Sequence, residues 1–400
     1  MKDTYISEAV KYIGADDTTL DLFESQYQIP NGVSYNSYVI LDEKVAVMDT
    51  IDERKTDEWF ANLENVLNGR TVDYLVISHL EPDHAANIKR AADKFPQAQL
   101  VLSAKAKAML PQFFDIAHLE ERCLVVKEGD TLELGTHKLH FVMAPMVHWP
   151  EVMVTYEKTE KILFSADAFG SFGAVDGNIF ADEIDYKGAW LSEARRYYTN
   201  IVGKFGMSVQ GLLKKAAGLE IRMICPLHSV IWREDLPWLI DKYLKWSSYT
   251  PEEKSVTIAY GSVYGHTEKA ADILAGKLAD RGIRHISVFD VSKTHPSYII
   301  ADAFRTSAMV FASITYNGGI FCNMDTLLHQ LAAHGLTKRT AALIQNGTWA
   351  ATTSKQMGEI LGTMKNIHVL EADVTIKSAL KNDQEAELDA LADAIAASLQ

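Results

Sequence analysis

The sequence predicts an α/β protein of two domains: a β-rich half with mixed sheets, followed by a doubly wound parallel sheet. Three observations predict it. Four hundred residues exceed what one ordinary core holds. Up to about residue 250, short apolar runs crowd together in hairpin-like pairs, with helices between only some of them. From Ser255 onward, strand-like and helix-like segments alternate regularly to the end of the chain.

In the first half the spacing predicts strands at YNSYVIL (35–41), KVAVMD (44–49), DYLVIS (73–78), AQLVLS (98–103), CLVV (123–126), LHFVMA (139–144) and KILFSAD (161–167). The stretch AANIKRAADKF (85–95) reads as a helix. LPWLIDKYLKWSSYTPEEKS (236–255) reads as an amphipathic helix running into a proline-containing linker. This places domains at 1–250 and 254–400. Strands then follow at SVTIAY (255–260), ISVFDV (286–291), AMVFAS (308–313), TAALIQN (340–346) and IHVLEA (367–372). Helices are expected from about 268, then near 297–305, 324–334, 352–363 and 383–399. Five strands alternating with five helices predict a five-stranded doubly wound parallel sheet.

Composition narrows the function. A net charge of −14 argues against nucleic acid as a partner, since phosphate binding needs a basic surface. The longest apolar runs are too short for a membrane span, and MKDTYISEAV lacks an apolar signal core. A cytoplasmic protein is expected. Cys123, Cys225 and Cys322 are isolated, with no CxxC, so neither a thiolate zinc knuckle nor a cysteine-ligated cluster is encoded. Any metal must be held by histidine and carboxylate.

The segment SHLEPDH (78–84) supplies such groups: His79, Glu81, Asp83 and His84 on one strand-to-helix turn. Asp83 could alternatively cap the helix. Later strand ends add His148, Asp167 and His228. Trp149, Phe169, Tyr197 and Tyr198 are candidates to line a pocket there, with Trp149 and Tyr198 foremost.

The order HxExDH, then His, Asp and His, resembles the metallo-β-lactamase superfamily, whose fold is an αββα sandwich. Its zinc hydrolases carry HxHxDH. Glu81 stands at the second histidine position, and that departure resembles the flavodiiron proteins (A-type flavoproteins), whose second domain is flavodoxin-like. The resemblance covers essentially all 400 residues. It implies one iron held by His79, Glu81 and His148, another by Asp83, His84 and His228, and Asp167 as the bridge. A set of nitrogens and carboxylates with open positions suits non-haem iron. Two ferrous ions and three carboxylates balance with one bridging hydroxide.

The C-terminal loops carry the second half of the resemblance. YGSVYGHTEKAA places Ser262, Val263, Tyr264, Gly265, His266 and Thr267 between the first strand and its helix. Hydroxyls and N–H groups at a helix N-terminus can bind a phosphate without Lys or Arg, although Thr267 with Glu268 would also serve as an ordinary cap. The loop SITYNGGIF offers Ser313, Thr315, Tyr316, Asn317, Gly318 and Gly319; NGTWAA offers Asn346, Gly347, Thr348, Trp349 and Ala350. Both leave carboxyl ends of strands, where open α/β sheets bind ligands. They resemble the flavin loops of flavodoxins and imply FMN. No GxGxxG or P-loop lysine supports NAD or ATP.

The resemblance implies an oxidoreductase. FMN passes electrons to two irons, which reduce dioxygen to water or nitric oxide to nitrous oxide. Oxygen is the favoured gas, because a module found with some nitric oxide reductases is absent. A separate rubredoxin or flavin reductase is the expected donor. A head-to-tail homodimer, alone or paired into a homotetramer, is expected to bring one subunit's FMN to its partner's irons. The alternatives are a nitric oxide reductase first of all, and a zinc hydrolase with a flavodoxin-like regulatory domain.

Overall fold

The structure, a computed structural model, describes residues 5–400. Contacts divide it into two compact units, 5–198 with 205–244 and 199–204 with 245–400.

The first unit carries two mixed sheets. One has the order Val10–Tyr12, Tyr38–Leu41, Val45–Met48, Tyr74–Val76, Gln99–Ser103, Cys123–Val126. Its first pairings are antiparallel and its last three parallel. The other runs Thr131–Glu133, Lys138–Met143, Met153–Glu157, Ile162–Phe164, Met223–Cys225. Only its final pairing is parallel. These are the mixed sheets expected. The strands Tyr38–Leu41 and Val45–Met48 are buried on both faces, which explains their continuous apolar sequence. Tyr38 Oη donates to the Pro226 carbonyl at 2.6 Å, and Asn36 Nδ2 donates to the carbonyls of Pro226 and Ser229. These bonds hold the loop carrying His228 against the first sheet.

The helix expected over 85–95 is broken in two. Pro82–Ala85 is a single turn with proline at its first position, and Ile88–Lys94 follows. Asn87 causes the break. Its backbone N–H donates to Thr50 Oγ1 and its Nδ2 to the Ile51 carbonyl, while its Oδ1 accepts from Thr56 Oγ1. That side chain satisfies neighbouring backbone instead of continuing the helix.

The second unit has the strand order Ser287–Asp290, Glu253–Gly261, Thr306–Tyr316, Arg339–Asn346, Ile367–Ile376, all parallel. Numbered along the chain this is 2-1-3-4-5, the flavodoxin-like order. Alternating residues face opposite layers. Val256, Ile258 and Tyr260 pack against the helices His266–Asp280 and Glu385–Ser398. Ala259, Met309 and Phe311 pack against Pro296–Arg305, Cys322–Ala333 and Thr353–Gly362. A two-residue strand, Gly319–Ile320, pairs antiparallel onto Thr306–Tyr316.

Candidate metal centre and flavin cavity

The metal-type residues sit where strands of the first unit end. His79, Asp167 and His228 each lie three residues beyond a strand, after Val76, Phe164 and Cys225. His148 lies five beyond Met143. The structure brings all seven together in two groups. His79, Glu81, His148 and Asp167 have ligand atoms within 4.8 Å of one another, and so do Asp83, His84 and His228.

Asp167 stands between the groups. Its Oδ2 is 3.3 Å from His79 Nε2 and 3.4 Å from His148 Nε2, while its Oδ1 is 3.0 Å from His84 Nε2 and 3.8 Å from His228 Nε2. Glu81 Oε2 lies 3.0 Å from His148 Nε2 and 3.3 Å from His79 Nε2. Asp83 Oδ2 lies 3.1 Å from His228 Nε2 and 3.2 Å from His84 Nε2. Asp83 does not cap the helix; Glu81 is the N-cap residue and makes no side-chain cap bond either. The His84 and Ala85 N–H groups donate to the Glu81 carbonyl instead, so both carboxylates are free to face the centre.

The residues fit divalent ions. Both oxygens of Asp83 and Asp167, both ring nitrogens of His84, and His228 Nε2 are buried without a hydrogen-bond partner among the described residues. Buried polar atoms in such numbers are expected only where something else satisfies them. The electrostatics agree. Burial opposes charge on His148, yet the Asp167 and Glu81 carboxylates beside it outweigh this and raise its pKa to about 10. At His79 burial is likewise overcome, by Glu151 and Glu81, and the pKa rises to about 9. Burial would raise the Asp167 carboxyl, but the neighbouring His84 and His148 hold it well below the usual carboxylate range. A field that retains protons this strongly also attracts metal cations.

Aromatic rings crowd the centre. Trp149 lies edge-on to His79 at 5.1 Å between centroids and 6.3 Å from His148. Tyr197 is 5.4 Å from His228. Tyr198 and Phe169 instead pack on Tyr243, at 5.1 and 4.2 Å.

In the second unit a cavity of about 450 Å³ opens at the carboxyl ends of the first, third and fourth strands. Ser262, Val263, Tyr264, His266 and Thr267 line it, as do Thr315, Tyr316, Asn317, Gly318, Asn346, Gly347, Thr348, Trp349 and Ala350. Gly265, Ser313 and Gly319 do not line it. Gly265 is the left-handed residue that starts the helix, with φ +84°. Ser313 Oγ is turned to the Ile314 carbonyl, and Gly319 is taken up in the short strand. Ile314, Thr352 and Ser378 also line the cavity. Ser378 is reached through Asn346, whose Nδ2 donates to its carbonyl and whose Oδ1 accepts from its N–H.

The cavity fits a flavin nucleotide. The helix His266–Asp280 begins without a side-chain cap, so its first N–H groups are free for an anion. Thr267 does not cap it; its Oγ1 accepts from Asn346 Nδ2. Trp349 is 93% exposed and Tyr264 91%, so two large rings stand in water beside the cavity. A Cβ on Gly347 would lie 2.3 Å from the Ala350 carbonyl oxygen, so only glycine permits this loop.

Comparison with known proteins bears on both sites. The ODP family beta lactamase pattern matches residues 33–229. The anaerobic nitric oxide reductase flavorubredoxin of Vibrio vulnificus is 29% identical over 94% of this chain and 74% of its own length. The rubredoxin oxygen:oxidoreductase of Desulfovibrio gigas is 27% identical and superposes with a TM-score of 0.92, covering 100% of this chain and 98% of that one. The flavodiiron protein of Giardia intestinalis gives 0.92 at 26% identity with the same coverage. These matches set the chain beside the flavodiiron proteins over both of its halves.

Three groups at the centre carry no signal that the sequence analysis used. Glu151 accepts a hydrogen bond from His79 Nδ1 at 2.8 Å, and the Ser34 carbonyl accepts from His228 Nδ1 at 2.8 Å. Phe23 lies edge-on to His228 at 5.4 Å. Glu151 lies three residues after His148, but a single glutamate in a turn does not by itself mark a partner for His79. Nothing in the sequence around Ser34 or Phe23 signals the contact.

Proposed function

We propose that this protein is a flavodiiron oxidoreductase that reduces dioxygen to water or nitric oxide to nitrous oxide, with FMN relaying electrons from an external donor. The observation that carries the reading is Asp167, whose two oxygens serve two separate sets of ligands. His79, Glu81 and His148 would hold one iron, and Asp83, His84 and His228 the other, within a domain spanning 1–250. The loops at 262–267, 313–319 and 346–350 would hold FMN in a domain spanning 254–400. Paired iron supplies an open, electron-donating site for a small gas, and zinc would not donate electrons.

The chain's own residues do the rest. The carboxylates Glu81, Asp83 and Asp167 offset cationic charge that burial alone would expel. Trp149 and Phe23 set their edges against ligand imidazoles and Tyr197 packs tilted on His228, so the ligands are backed by apolar rings. Glu151 and the Ser34 carbonyl fix Nδ1 of His79 and His228, which turns each Nε2 inward. In the second unit Trp349, Tyr264 and Tyr316 offer rings for stacking, and the helix start offers N–H groups to phosphate.

A rubredoxin or flavin reductase is the proposed donor, and a head-to-tail homodimer, or a homotetramer built from two of them, the working form in the cytoplasm. No helix among the described residues is long and apolar enough to cross a membrane. Nitric oxide is the second gas to consider, since curated relatives carry that name. The test is metal analysis of anaerobically purified protein together with steady-state consumption of each gas by the reduced form. Two irons per chain and turnover of either gas are expected. Two zincs with ester cleavage and no gas consumption would replace this reading with a hydrolase.

A further inference from the structure

The two halves of the centre differ in what stands behind their histidines. Glu151 is buried, and its Oε1 accepts both from His79 Nδ1 at 2.8 Å and from the Leu80 N–H at 3.0 Å. A carboxylate only accepts, so Nδ1 of His79 carries a hydrogen, and Nε2 is the nitrogen left to face a cation once its own proton is displaced. The backbone around Glu151 is held as well. Its carbonyl accepts from Ser103 Oγ at 2.9 Å, and that hydroxyl caps the helix Ala104–Met109. Glu151 Oε2 has no hydrogen-bond partner among the described residues, so His79 is the one side chain that bonds to this carboxylate there.

The other half has no such anion. His228 Nδ1 donates to a neutral carbonyl, that of Ser34, and His84 Nδ1 has no hydrogen-bond partner among the described residues. An imidazole that donates to a carboxylate is a more electron-rich ligand than one that donates to an amide.

We propose that Glu151 is a positioning residue for one half of the metal pair, locking His79 with Nε2 inward and making the His79–Glu81–His148 half the tighter of the two cation sites. This rests on the diiron reading above. The two metals are therefore inequivalent before any gas arrives, and the inequivalence comes from one buried side chain.

The experiment is anaerobic titration of demetallated full-length protein with Fe(II), with occupancy at each position read by anomalous scattering from crystals. Glu151→Gln keeps an oxygen acceptor of nearly the same shape and removes the charge, whereas Glu151→Ala removes both. Glu151→Gln should weaken the first half about tenfold and Glu151→Ala about a hundredfold, the range for such partners. The Asp83–His84–His228 half should fill as in the wild type. Equal loss from both halves, or wild-type filling in Glu151→Gln, overturns the proposal. Should the wild type take up Zn(II) but not Fe(II), the diiron reading fails, and the same variants titrated with Zn(II) still decide the role of Glu151. Uptake of neither ion defeats both.

Discussion

At Asp167, one carboxylate faces four imidazoles, two through each oxygen, and burial leaves it no water to share the charge with. Proton affinity in this cluster has a measurable consequence. His79 and His148, with pKa values of about 9 and 10, hold protons at neutral pH that an entering cation must displace. The sign follows directly: metal affinity rises with pH through this range and levels off above it, and loading releases protons. Titrating demetallated protein with Fe(II) in weakly buffered solution with a pH indicator should show acidification at pH 7 and much less at pH 10. Equal proton release at both values would contradict the assigned fields. The seven ligand-type residues were legible in the sequence because their chemistry is unusual at strand ends. Glu151 was not, since a single glutamate in a turn has no distinguishing pattern until the fold brings it against His79.

Among the elements, the parallel sheet of the second unit was read closely, because its strands are buried on both faces and its helices are amphipathic. The order 2-1-3-4-5 is a matter of pairing between distant segments, which periodicity does not encode. Asn87 shows the same limit in the first unit. The pattern over 85–95 is helical, but side-chain bonds to 50–56 interrupt it. The loop elements yield a separable prediction. Trp349→Ala removes an exposed ring whose stacking is worth about 1–3 kcal/mol, so FMN binding should weaken roughly tenfold or more. Iron content should stay unchanged. His148→Ala should do the reverse, losing iron and gas reduction while keeping FMN. Absorbance of bound flavin and metal analysis read both variants, and a folded variant that lost both cofactors together would break the two-domain assignment.

At the scale of the whole molecule, the proposed homodimer makes turnover depend on concentration. Activity per chain should fall on dilution as mass measurements show dimers giving way to monomers. Full turnover by a monomer would remove the need for a head-to-tail partner. The remaining consequence concerns the flavin cavity, whose lining holds no lysine, arginine, aspartate or glutamate among the described residues. A phosphate ester approaching a chain of net charge −14 therefore meets long-range repulsion with no lysine or arginine in the lining to compensate it. Ionic strength would work against that repulsion by screening it. Dialysis into dilute buffer, rather than a salt wash, is then the condition under which this chain gives up its yellow colour.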